Sequence, residues 1–148
     1  MRRFRFPLGG VLRLRGHAER QARQQLGTAL RRLEVAEQRL HNVEQGLREC
    51  DGTACGRSAA APLALALGAA LKRLQVRMQA ETRAAQAAVE ESRTTYLQRR
   101  SELRAMQSLH DRRRTEWEQA SEAAEQAELD ELARLGREAR ARAEGTPS

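Results

Sequence analysis

From Ala22 onward the apolar residues fall at Leu26, Ala29, Leu33, Ala36, Leu40, Val43, Leu47 and Cys50, stepping alternately by four and three. That rhythm holds a narrow apolar stripe on one side of a helix for four heptads, and the natural cover for such a stripe is another helix lying along it. One seam position is Leu at 26, 33, 40 and 47, while the other is Ala at 22, 29 and 36, so the covering helix can approach closely. Leu8 and Leu12 extend the pattern upstream, and Pro7 suits a first helical turn. The spacing predicts a first helix over about residues 8–50.

The stripe stops at "CDGTACGRSAAAP", where Gly52, Gly56 and Pro62, with Asp51, Thr53 and Ser58, supply turn and breaker chemistry. A loop over about 51–62 is expected. Beyond it, Leu67, Leu71, Leu74 and Met78 begin a second stripe, which continues through Val89, Tyr96, Leu103, Met106, His110 and Trp117. Two successive steps of four, Leu74 to Met78 to Thr82, read as a stutter that would locally unwind a supercoil. No Pro or Gly interrupts residues 69–135, which predicts one very long helix over about 63–142. A short connection makes the two helices antiparallel neighbours. The expected fold class is all-α: a single elongated domain, an antiparallel two-helix coiled-coil hairpin whose second helix is the longer. At ~1.5 Å per residue the limbs are roughly 60 Å and 110–120 Å long, so residues from about 105 onward are expected to lack an intramolecular partner.

Composition supports a rod rather than a globule. The 148 residues contain one Trp, one Tyr and two Phe, too few large side chains for a thick core. The net charge of +7 is unevenly spread: residues 1–33 carry nine arginines and one glutamate, whereas residues 116–131 carry seven acidic residues and no basic one. Neither a nucleic-acid reading module nor aromatics interleaved with the basic residues is present, which argues against nucleic acid as partner. Cys50 and Cys55 have no second cysteine pair and no nearby histidine, so no metal site is expected. The longest apolar run, "AAAPLALALGAAL" at residues 59–71, is too short for the roughly 20 residues that cross a bilayer. No secretory leader is evident, and the cytosol is the expected compartment. Without a phosphate loop, nucleophile motif or paired catalytic carboxylates, no enzymatic activity and no cofactor are expected.

Three features ask for more than helix packing: the tip "RFRFPLGGVLRLR" at residues 3–15, the dense stripe of Leu67, Leu71, Leu74 and Met78, and the motif "AELDELARL" at residues 127–135. Exposed apolar helix stripes of this kind are ordinary protein-docking surfaces. Ser92, Arg99, His110 and Arg113 occupy seam positions, so the hairpin alone is expected to be marginally stable.

The segments "FRFPLGGVLRLRGHAERQA", "LGTALRRLEVAEQRL", "SELRAMQSLHDRR" and "LDELA" resemble, in that order, segments of the FliJ family of flagellar type III export stalk proteins. The resemblance implies a non-catalytic antiparallel coiled coil that enters the ring of the export ATPase, FliI, and docks on the export gate protein FlhA, with a further role in escorting export chaperones. It implies ring insertion by Phe4, Phe6, Leu8, Leu12 and Arg13 together with Trp117, Leu129, Asp130 and Leu132. It implies gate binding by Leu67, Leu71, Leu74 and Met78, faced by Val43 and Cys50. The implied location is the cytoplasm, peripherally at the inner face of the membrane beside the export apparatus. Three alternatives stand beside this: the similar YscO-type stalk of an injectisome, a peripheral membrane or nucleic-acid binder acting through the basic N-terminal tip, and a generic coiled-coil scaffold that pairs through the overhang into dimers.

Overall fold

The computed structural model describes residues 3–54 and 59–145; Cys55, Gly56 and Ser58, named above, lie outside them. The chain forms two helices, α1 (Gly9–Ala54, 46 residues) and α2 (Ala61–Glu144, 84 residues), and no strand among the described residues. Helix α1 runs past the expected end. Asp51, Gly52 and Thr53 are helical, the Thr53 hydroxyl donating back to the Glu49 carbonyl at 2.9 Å. Helix α2 starts with the Ala64 amide donating to the Ala60 carbonyl at 2.9 Å, which leaves Pro62 in the first turn, where no intrahelical amide is needed.

By contacts the chain divides into two compact units, one formed by residues up to Arg13 with those from Arg104 onward, the other by Leu14–Leu103. In the second unit the helices run in opposite directions. Arg15 meets Glu102, Arg23 meets Tyr96, Gly46 meets Leu71 and Cys50 meets Gly68, so that as numbers rise on α1 they fall on α2 almost one for one. Every residue of the predicted α1 seam from Ala22 to Cys50 is buried or half-buried. Val43, Leu47 and Met78 form the apolar centre, with Leu40 and Leu71 packed against it.

The α2 seam differs from expectation near its start. The inward line is Ala64, Gly68, Leu71, Gln75, Met78, Thr82, Ala85, Val89, Ser92, Tyr96 and Arg99, an unbroken alternation of four and three, so the stutter does not occur. Leu67 and Leu74 lie outside this line and are exposed, at 51% and 39%. The cause is close approach. A side-chain carbon on Gly68 would lie 3.9 Å from the Cys50 Cβ, and one on Gly46 would lie 3.3 Å from a Leu71 methyl. Ala64 and Gly68 fit that gap, and the bulkier leucines turn outward.

Candidate functional site

No group of three or more His, Cys, Asp or Glu side chains among the described residues converges to hold a metal ion. No helix among them is long and apolar enough to cross a membrane. What the fold offers is surface, and three stretches of it correspond to the three features singled out in the sequence.

The stretch at the start of α2 splits the residues grouped for gate binding. Val43, Cys50 and Met78 are at most 9% exposed and belong to the interior of the helix pair, with Leu71 half-buried beside them. Leu67 and Leu74 face outward, and Leu63 stands with them at 73% exposure. Leu63, Leu67, Ala70 and Leu74 are spaced by four, three and four residues and therefore share one helix face. Leu63 was missed by the sequence reading although its spacing from Leu67 announces it. Leu65 and Val76, each 65% exposed, lie on the opposite side of α2.

The N-terminal tip and the part of α2 from Arg104 onward belong to the same unit. Residues 3–6 lie outside regular secondary structure, and their burial alternates: Phe4 and Phe6 are half-buried while Arg3 and Arg5 are exposed. The Phe6 carbonyl accepts from the Gly9 amide at 3.2 Å across a turn with Pro7 at its second position, the place where a fixed φ costs nothing. The His110 ring is held edge-on by Phe4 and Phe6, with centroids 5.6 and 5.0 Å away, and Phe4 also meets Trp117 at 5.8 Å. Such edge contacts suit aromatic quadrupoles. His110 Nδ1 lies 3.1 Å from Asp111 Oδ1. The expectation that residues from about 105 have no intramolecular partner is therefore corrected: Met106, Leu109, His110 and Trp117 are half-buried, and the phenylalanines of the tip are their cover. Leu12 is half-buried as well, whereas Leu8 and Arg13 are exposed.

Bare helix begins only after Ser121. Residues 122–144 are all exposed, including Leu129 at 60%, Leu132 at 64% and Leu135 at 48%, and Asp130, whose carboxylate accepts from the Gln126 amide at 3.0 Å. Local pairs at i,i+3 and i,i+4 spacing support this stretch: Arg134 bonds Glu131 at 2.6 Å and Glu138 at 3.2 Å. A hydrogen bond to Glu131 raises the Arg134 pKa.

Within Leu14–Leu103, charges occupy part of the interface between the helices. Glu19 is 6% exposed and accepts from Arg23 at 2.9 Å. A hydrogen bond to Tyr96, then the charge of Glu19, raises the Arg23 pKa. Glu102 pairs with Arg15 across the helices and with Arg99 at 3.2 Å along α2. Burial alone would raise the Glu102 carboxyl, but the Arg99 hydrogen bond and the charges of Arg15 and Arg99 outweigh it and hold it below its ordinary value.

Compared with known proteins, the chain matches the family described as "Flagellar FliJ protein" over residues 4–142, nearly its whole length. No curated protein and no solved structure matches it significantly.

Proposed function

The chain belongs to the FliJ family of flagellar proteins, and on that premise we propose that it is a non-catalytic stalk of the flagellar protein export apparatus, inserted by one end into the FliI ATPase ring and docked through the start of α2 on the export gate protein FlhA. The observation that carries this reading is the family match over residues 4–142, which includes both the N-terminal arm and the bare end of α2. The exposed helix after Ser121, with Leu129, Asp130 and Leu132 on it, is the segment free to be gripped by a ring. Phe4 and Phe6 contribute differently from Leu8 and Arg13. They brace α2 through His110 and Trp117, and the arginines beside them are left outward for the ring lining.

A single stalk chain seated in a ring of like subunits contacts those subunits unequally. Unequal contacts bias which subunit adopts the hydrolytic state and hold the ring together, a coupling of binding free energies with no chemistry on the stalk. Titration into purified export ATPase tests this. Hydrolysis rate and hexamer fraction should rise together and saturate, and Leu129→Asp with Leu132→Asp should abolish both effects. Rates and assembly that stay flat at saturating protein reject the insertion.

The stripe of Leu63, Leu67 and Leu74 is the docking face proposed for FlhA, since Val43, Cys50 and Met78 are engaged inside the hairpin. Leu67→Asp with Leu74→Asp should abolish gate binding with the circular dichroism spectrum unchanged, because neither side chain supports the core. Undiminished gate affinity removes this face from the reading. Location at the inner face of the membrane follows from docking on the gate rather than from any property of the chain itself, and an escort role toward export chaperones is part of the same proposal.

A further inference from the structure

The end of α2 is self-complementary when reversed, and we propose that it pairs with the same segment of a second copy of this chain to form an antiparallel, two-fold symmetric dimer centred between Leu132 and Ala133. This goes beyond the stalk reading and does not depend on it.

The charges point to that occupant. Residues 116–131 hold seven acidic side chains and no basic one, and the next stretch holds Arg134, Arg137 and Arg140. Laid against a reversed copy about that centre, Glu125 falls level with Arg140, Glu122 falls within a turn of Arg140, and Asp130 falls beside Arg137. Glu131 and Arg134, closest to the centre, already pair within the chain. By contrast Glu122, Glu125, Arg137 and Arg140 make no ion pair among the described residues, so the partner meets charges that are still available. A parallel copy would set acid against acid and base against base, which the same distribution disfavours.

The shape agrees with the charges. On the face turned to the axis, Leu129 and Leu132 lie on one side of the centre while Ala133 and Gly136 lie on the other. Reversal therefore brings Leu129 over the partner's Gly136 and Leu132 against the partner's Ala133. Gly136 has nothing within 4 Å of where a side chain would begin, and its φ is not positive, so nothing inside one chain requires a glycine there. A glycine in an exposed helix interior costs about 1 kcal/mol relative to alanine. The leucine of a second copy is what would occupy that notch. The two exposed leucines, 60% and 64% accessible in the single chain, become covered by the same contact.

Sedimentation equilibrium of the full chain alone, over a range of concentrations and salt, tests the proposal. The expected result is a reversible shift to twice the monomer mass that weakens as salt rises. Two charge-reversed proteins sharpen it: one carries Glu122→Arg, Glu125→Arg and Asp130→Arg, the other Arg137→Glu and Arg140→Glu. Each should lose self-association by at least about tenfold, and an equimolar mixture should recover it as a heterodimer. Gly136→Gln separates docking from helix stability, because it should raise tail helicity and yet weaken the dimer. A monomer at every concentration overturns the inference, and so does a dimer that persists in both charge-reversed proteins. The ATPase takes no part in these measurements, so failure here leaves the stalk reading to its own titration.

Discussion

Near the interhelical turn, Leu40, Val43 and Leu47 close on Leu71 and Met78, whereas farther along the same helix pair Glu19, Arg23, Tyr96, Arg99 and Glu102 share the interface. Both stretches continue one alternation of four and three, yet they do different work. Burial of leucine and methionine is favourable in proportion to area and nearly indifferent to exact position. Charged groups at fixed heights are poor sources of stability but penalise every misaligned register. The apolar half supplies the cohesion of Leu14–Leu103, and the ionic half fixes how its helices line up.

The largest expected effect breaks the apolar half. Leu47→Asp places an unpaired charge beside Val43 and Met78 and should cost about 3–5 kcal/mol, enough to melt the helix pair. Thermal unfolding followed by circular dichroism reads it, and a melting curve like that of the parent chain would contradict this division of labour. Glu102→Gln on the ionic side should cost clearly less. It also carries a pH signature. Because the folded carboxyl sits below its ordinary value of 4.5, folding binds fewer protons there than unfolding does, so stability rises with pH through that range. The deficit of the variant should be constant above about pH 6 and should vanish as pH falls through the folded value of Glu102. A deficit that persists into acid would show that the contact matters for shape rather than charge. The smallest effect belongs to neither half: Gly27, mid-helix with open space where a side chain would start, should accept Ala with a gain of about 0.5–1 kcal/mol. A loss on that change would mean the helices approach more closely there than the structure shows.

The α1 seam was legible because each of its positions is decided by helix periodicity alone, and leucine and alanine both fit where the pattern puts them. The start of α2 was not legible in the same way. Periodicity read the large residues Leu67 and Leu74 as inward, but the separation of the helices decides whether a leucine fits, and that separation is a property of two segments together. Gly46 and Gly68 were the available signal, as small residues that let the other helix approach, Gly46 beside Leu71 and Gly68 beside Cys50. The arm formed by residues 3–6 was a similar case: the alternation of Arg and Phe marked it as a cationic, apolar tip for docking, but nothing local revealed that its phenylalanines would be used on His110 and Trp117.

The sequence by itself determined two helices, their approximate ends, the inward face of α1 and the family, because heptad spacing, breaker residues and segment order are local and additive along the chain. Only the tertiary structure decided which face of α2 turns inward near the turn, that Glu19 is buried with Arg23 as its partner, and that Phe4 and Phe6 brace α2 instead of standing free. These depend on distances between segments remote in sequence, where close packing admits one arrangement of large and small side chains and excludes the others.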